Sequence, residues 1–173
     1  MKICDTVNSK LYKNDRAILH SDCNCFYASV ECLLNPNIRD LPVAVSGDAE
    51  NRHGIILAKN EEAKKYNIKT GEAIWQAKKK CPQLLTVPAR LDVYKKFSDK
   101  VRRIYSDYTD MVEPFGLDEA WLDISEDYKN DAHTIAKEIS QRVKDEIGIT
   151  VSIGVSFNKI FAKFGSDYKK PDA

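Results

Sequence analysis

No stretch of this chain approaches the roughly 20 consecutive apolar residues that a bilayer crossing requires. The polar segment from Met1 to Arg16 also lacks the apolar centre and small-residue cleavage site of a secretory signal. A cytoplasmic location without membrane association is the expectation. Cysteine is scarce and odd in number: Cys4, Cys23, Cys25, Cys32 and Cys81 contain no CxxC unit, which argues against a disulfide framework and against structural zinc. Cys23 and Cys25 occupy alternating positions at an expected strand and read as small buried hydrophobes. Charge of one sign is not in excess either. With a formal net charge of +1, bulk electrostatics neither demands nor excludes a polyanionic partner. Internal repeats and low-complexity segments are lacking as well.

What is present is an ordinary globular composition. The chain has 173 residues, 43% hydrophobic and 31% charged, enough for one medium domain or for a domain with a smaller inserted lobe. Its cations are clustered: Lys78 to Lys80; Lys95, Lys96, Lys100, Arg102 and Arg103; and Lys159, Lys163, Lys169 and Lys170. Each cluster, taken alone, reads as a solvated helix face.

Hydrophobic patterning predicts a strand over Arg16 to Asp22 that ends on an aspartate, then a helix over Phe26 to Leu34 stopped by Asn35-Pro36. Two short strands, Leu41 to Ser46 and Gly54 to Ala58, flank a polar loop from Gly47 to His53. Asn60 caps a short helix to about Tyr66, and a second helix covers Ile74 to Lys80. After a strand at Leu84 to Val87, apolar residues at three- and four-residue steps mark a long helix from Leu91 to Tyr108. Met111 to Phe115 and Ala120 to Ile124 form a hairpin around Gly116-Leu117-Asp118-Glu119. A helix over Ala132 to Ile147, a strand over Ile149 to Ser156 and a helix starting at Asn158 complete the order. Strand, helix, hairpin, helix and strand fit an α+β, ferredoxin-like sheet with helices on one face, interrupted early by a small lobe.

Asp22 ends the first strand, and Asp118 and Glu119 sit at the hairpin tip. If the first strand and the hairpin are neighbours, three carboxylates converge at one edge. Like charges that close persist only with bound cations or retained protons. Oxygen ligands select Mg²⁺ or Mn²⁺, and a carboxylate-bridged pair of ions assists in-line displacement at phosphorus. Spacing alone leaves the plainer alternative open, since acidic residues at strand ends are usually turn or cap residues.

Leu19 to Glu31 (LHSDCNCFYASVE) and Glu113 to Asp123 (EPFGLDEAWLD) resemble the two signature motifs of the Y-family (UmuC-like) translesion DNA polymerases, especially the DNA polymerase IV branch. Gly54 to Ala63, Gly71 to Pro82 and Gly154 to Lys163 are similar to further family segments in the same order. The resemblance implies a polymerase palm (residues 1–25 and 91–173) with an inserted fingers lobe (26–90), adding dNTPs to a primer 3′ end in DNA repair and damage tolerance. It places Asp22, Asp118 and Glu119 on the catalytic, metal-binding carboxylates, with two Mg²⁺ ions (Mn²⁺ as the alternative) and the carbonyl of Cys23 as a further ligand. Phe26 and Tyr27 fall under the incoming sugar, Tyr27 as the steric gate against a 2′-hydroxyl. Lys64 and Lys159 fall on triphosphate contacts. Implied partners are primer-template DNA, dNTPs and, for a full-length protein, a sliding clamp, with a monomeric state.

Some positions depart from the family pattern. Glu61 stands where many relatives carry a tyrosine that donates to phosphate, so it is expected to turn outward or pair with a lysine. Gly116 replaces a common serine, and its expected effect is a looser hairpin. Asn24 and Asp123 are expected to be structural, and His20, His53 and His133 match no catalytic position. The resemblance runs out at Lys169-Lys170-Pro171, where relatives continue into a thumb and a little-finger domain. The chain as given is therefore expected to bind primer-template weakly and to have little or no activity alone. Two competing readings remain at this stage: a non-catalytic relative kept as a binding module, and a cyclase-like enzyme on the same type of core. The three retained acids argue against the first, and the Phe26-Tyr27 pair with the inserted lobe against the second.

Overall fold

The structure, a computed structural model, describes residues 16–47, 54–126, 131–168 and 170. Most of the Gly47 to His53 loop, Cys4, His53, Lys169 and Pro171 lie outside the described residues. The chain divides into two compact units, residues 1–24 with 98–173, and residues 25–97. The second division falls inside a helix, after Phe97.

In the first unit, β1 (Ile18–Cys23), β5 (Val112–Phe115), β6 (Glu119–Asp123) and β7 (Val151–Ser156) form one sheet in the order β5-β6-β1-β7. Each neighbouring pair is antiparallel. β1 and β5 therefore run the same way with β6 between them, and β6 and β7 the same way with β1 between them, which is the split βαβ arrangement. All six residues of β1 are buried, so both of its faces are covered. Ser21 bonds to Tyr105 of α4 (Leu91–Ser106) on one face. His20 bonds to Ser166 of α6 (Lys159–Tyr168) on the other. The expectation of helices on a single face is thus corrected. Hydrophobic period alone does not say which side of a sheet a helix covers.

α5 (Ala132–Arg142) is capped by Asp131, which accepts from the His133 amide, and continues into a π-helical turn, Val143–Ile147. Gly148, at φ 86, closes it. The amphipathic repeat had predicted one unbroken helix. The core of this unit gathers Leu19, Val101, Ile104, Tyr105, Leu122, Ile139, Val143 and Val151.

In the second unit, β2 (Val43–Ser46) lies between β3 (Ile56–Lys59), antiparallel to it, and β4 (Leu85–Pro88), parallel to it. α1 (Phe26–Leu34) ends where the sequence places Asn35-Pro36, as expected from the conformational restriction before proline. α2 (Glu61–Lys64) begins at Asn60, whose side-chain oxygen accepts from the amides of Ala63 and Val43 while its amide donates to the Leu41 carbonyl. One buried side chain thereby joins helix cap and strand. α3 (Ile74–Lys80) closes the core made of Ala44, Ile56, Ala63, Ile68, Ala77, Cys81 and Leu84. Among the described residues no helix is long and apolar enough to cross a membrane. Cys23, Cys25, Cys32 and Cys81 are free thiols.

Candidate active site

The sheet order brings the expected acids to one place. Asp22 of β1 lies directly opposite Glu119 of β6 in the antiparallel register, and paired residues project from the same face. Asp118, in the preceding turn, is tied in by its carbonyl, which accepts from the Cys23 amide at 2.9 Å. Gly116 starts that turn at φ 71, a conformation in which a serine would be strained. Glycine therefore fits the turn rather than loosening it. Arg102 of α4 donates to the Gly116 carbonyl at 2.5 Å and braces it from outside.

Burial raises the pKa of Asp118 above the usual carboxylate range, and the charge of Asp22 raises it further. Asp22 is also raised, by burial first and by Glu119 besides, although Lys170 pulls it back. Both acids therefore carry an electrostatic cost that a cation relieves. Lysines supply part of that relief here. Lys170 reaches Asp22 Oδ2 at 2.5 Å and Asp167 at 2.8 Å, and Lys163 reaches Glu119 Oε2 at 2.6 Å. No three of the described His, Cys, Asp and Glu side chains are grouped as ligands of an ion. The donor set itself, three carboxylates on adjacent backbone positions, is all hard oxygen and suits Mg²⁺ or Mn²⁺.

Sequence reasoning read Lys163 and Lys170 as members of a basic cluster and missed their partners. Lys159, which with Lys64 was the expected triphosphate contact, forms an ion pair with Glu113 and lies over the Trp121 ring. His20 was also missed. It is fully buried, bonds to Glu119 and meets Trp121 edge-on at 4.9 Å. Burial, with Lys163 nearby, lowers its pKa, while Glu119 opposes the shift. The alternation of β1 carried a signal for it, since His20 and Asp22 are two residues apart and share a face. Asn24 donates to Thr150 and accepts from Ser152, and Asp123 accepts from the amide and hydroxyl of Ser125. Both have structural partners, as expected. The Cys23 thiol is buried and shifted upward by that burial, so the side chain offers no thiolate to a metal. Cys25 does not continue the strand. It is the left-handed residue, φ 51, that precedes α1.

The second unit carries the aromatic candidates. Phe26 is a core residue at 3% exposure, whereas Tyr27 is half-buried and stacks on Tyr94, with ring centroids 4.3 Å apart and planes 12° from parallel. Tyr94 is itself fixed: its hydroxyl donates to buried Glu31 at 2.7 Å, and Arg90 adds a two-pronged contact to the same carboxylate. Glu61 pairs with Lys64 at 2.6 Å and accepts from the Cys25 thiol at 3.2 Å, so the pairing with a lysine expected of Glu61 is present. Burial opposes ionisation of Glu61, but Lys64 outweighs it and the net shift is downward.

Comparison with known proteins gives one consistent result. Residues 21–167 match the family described as impB/mucB/samB. DNA polymerase IV of Acetivibrio thermocellus is 61% identical over 160 residues, covering 91% of this chain and 40% of the relative. DNA polymerase IV of Bacteroides fragilis is 45% identical, covering 92% and 44%. Among solved structures, DinB from Sulfolobus solfataricus superposes with a TM-score of 0.85 at 31% identity, covering 90% of this chain and 46% of that one. An insertion ternary complex of Dbh DNA polymerase gives 0.85 at 30% identity, covering 90% and 47%. The chain spans less than half the length of the relatives it matches.

Proposed function

The chain belongs to the impB/mucB/samB family, and on that premise we propose that it is the catalytic portion of a translesion DNA-directed DNA polymerase, with residues 1–25 and 91–173 as palm and 26–90 as fingers. The observation that carries the reading is the Asp22–Glu119 register pair with Asp118 tied to Cys23: a buried and a half-buried acid on neighbouring strands, each paired with a lysine, and a third acid in the turn beside them.

In this reading Asp22, Asp118, Glu119 and the Cys23 carbonyl would hold two Mg²⁺ ions, which would supply Lewis acidity to lower the pKa of a primer 3′-hydroxyl and to offset the triphosphate charge. The chain's own residues do the rest. Lys170 and Lys163, released from the acids, become cations for phosphate oxygens, alongside Lys64 and Lys159. Tyr27, backed by Tyr94, presents a rigid ring to the sugar and excludes a 2′-hydroxyl by contact. Primer-template DNA and dNTPs are the partners.

The test is Mg²⁺-dependent binding of a dNTP and the matching rNTP by this chain and by its Asp118→Ala and Tyr27→Ala variants. The reading requires metal-dependent dNTP binding, loss with Asp118→Ala and relaxed sugar choice with Tyr27→Ala. Metal-independent binding that ignores both substitutions, in a folded chain, overturns it.

A further inference from the structure

Glu119 accepts from two groups through one oxygen. His20 Nε2 lies 3.1 Å from Glu119 Oε2, and Lys163 Nζ lies 2.6 Å from that same atom. The other ring nitrogen, Nδ1, is 2.7 Å from Ser166 Oγ, which in turn is 2.9 Å from the Lys163 carbonyl. Lys163 and Ser166 both belong to α6, and the closeness of that helix to the sheet has a specific cause. His20 is paired across the sheet with Gly154 of β7. A β-carbon on Gly154 would lie 2.4 Å from the Ser166 amide nitrogen, so only glycine lets α6 come near enough for Ser166 to meet His20.

Proton accounting fixes the direction of this chain. The Ser166 hydroxyl has one proton and two neighbours able to accept it, Nδ1 and the Lys163 carbonyl. If it goes to the carbonyl, a neutral imidazole must donate from Nδ1, which leaves the Nε2 lone pair facing a carboxylate oxygen. If it goes to Nδ1, Nε2–H donates to Glu119 and both ring nitrogens are satisfied, and the Lys163 carbonyl is the one contact left without the serine proton. Only the second arrangement puts a proton between Nε2 and the carboxylate oxygen 3.1 Å away, and the geometry favours it.

We propose that His20 is a positioning residue for Glu119: with Ser166 behind it, it presents Nε2–H to Oε2, an oxygen it shares with Lys163 and holds when Lys163 is released, and so leaves Oε1 to a divalent cation. The inference rests on the reading of Glu119 as a metal ligand. Donors behind a ligating carboxylate tune metal affinity by about 10- to 100-fold.

Mn²⁺ binding, followed by electron paramagnetic resonance on the chain and its variants, tests it, with ¹⁵N spectroscopy of the imidazole as a second readout. Expected are about tenfold weaker Mn²⁺ binding in His20→Phe, a smaller loss in Ser166→Ala, recovery in His20→Gln, whose amide can donate from the Nε2 position, and protonation at Nε2 but not Nδ1 in the wild-type chain. Ser166→Ala removes one hydroxyl from a helix and keeps the test open if His20→Phe does not fold. Mn²⁺ binding that Asp118→Ala abolishes while His20→Phe and Ser166→Ala leave it unchanged overturns the role of His20 alone, as does an Nδ1–H tautomer. A folded wild-type chain that binds no Mn²⁺ overturns the metal reading and this inference with it.

Discussion

Gly154 of β7 and Gly165 of α6 are in backbone contact: a β-carbon on Gly165 would stand 3.2 Å from the Gly154 α-carbon, and one on Gly154 would stand 1.9 Å from the Ala162 carbonyl oxygen. Strand and helix meet there without any side chain between them. That approach sets the height of α6 above the acids.

Gly154→Ala is therefore expected to destabilise the chain by about 3 kcal/mol or more, because backbone cannot yield as a side-chain tip can. Gly165→Ala should cost less than about 1 kcal/mol, since the helical gain of alanine over glycine offsets a merely tight contact. Urea unfolding of the two variants gives the comparison, and equal effects would contradict it.

The Glu31 cluster gives a second expectation. Glu31 is 3% exposed and takes both Arg90 and the Tyr94 hydroxyl. Glu31→Gln keeps shape but loses the charge-assisted fork, so a loss of about 2 kcal/mol is expected, with a changed near-ultraviolet dichroism as Tyr94 and Tyr27 shift. A stability change within experimental error would show that the cluster contributes nothing.

Raised carboxylates set the pH behaviour of the metal-free chain. Asp22 and Asp118 bind protons more readily folded than unfolded. Their contribution is fully present below the unfolded carboxylate pKa of about 3.9 and is lost as pH rises through the higher folded values. At neutral pH these acids oppose folding, and Mg²⁺ should raise the melting temperature. The increment should shrink as the acids protonate on acidification, because ligands must be deprotonated to bind. Calorimetric scans with and without Mg²⁺ across that range measure it; an increment that grows on acidification would refute the assignment.

Glu61 and Lys64 form an exposed pair. Glu61→Gln releases the Lys64 ammonium, and binding of a dNTP should tighten about two- to fivefold, the scale of an exposed pair worth up to about 1 kcal/mol. Lys64→Ala should weaken binding and remove the effect of Glu61→Gln. Additive effects of the two substitutions would mean that they act independently.

Much of this was legible in the sequence, for local reasons. α1 ended where a proline forbids helix, and the Asp118-Glu119 turn was announced by two apolar runs around Gly116. Adjacency of Asp22 and Glu119 followed once hairpin and first strand were taken as neighbours. What was not legible depends on separation along the chain. Glu31 meets Arg90 and Tyr94 across 59 and 63 residues, and Lys170 meets Asp22 across 148. No periodicity encodes such pairs. The same holds for His20, whose neighbour Ser166 is 146 residues away. The π-helical turn at Val143–Ile147 was hidden because one added residue per turn hardly disturbs a short amphipathic pattern.

Lys163 and Lys170 give the acidic corner the character of an ion exchanger that comes already loaded. Ammonium groups of the chain occupy the carboxylates, so a divalent cation would arrive by substitution, and the charge it displaces stays tethered within reach. Affinity in such a corner depends on the difference between two cations rather than on the strength of one. Monovalent salt, which screens the outgoing pairs as well as the incoming one, should then change it less than it would at a corner of uncompensated acids.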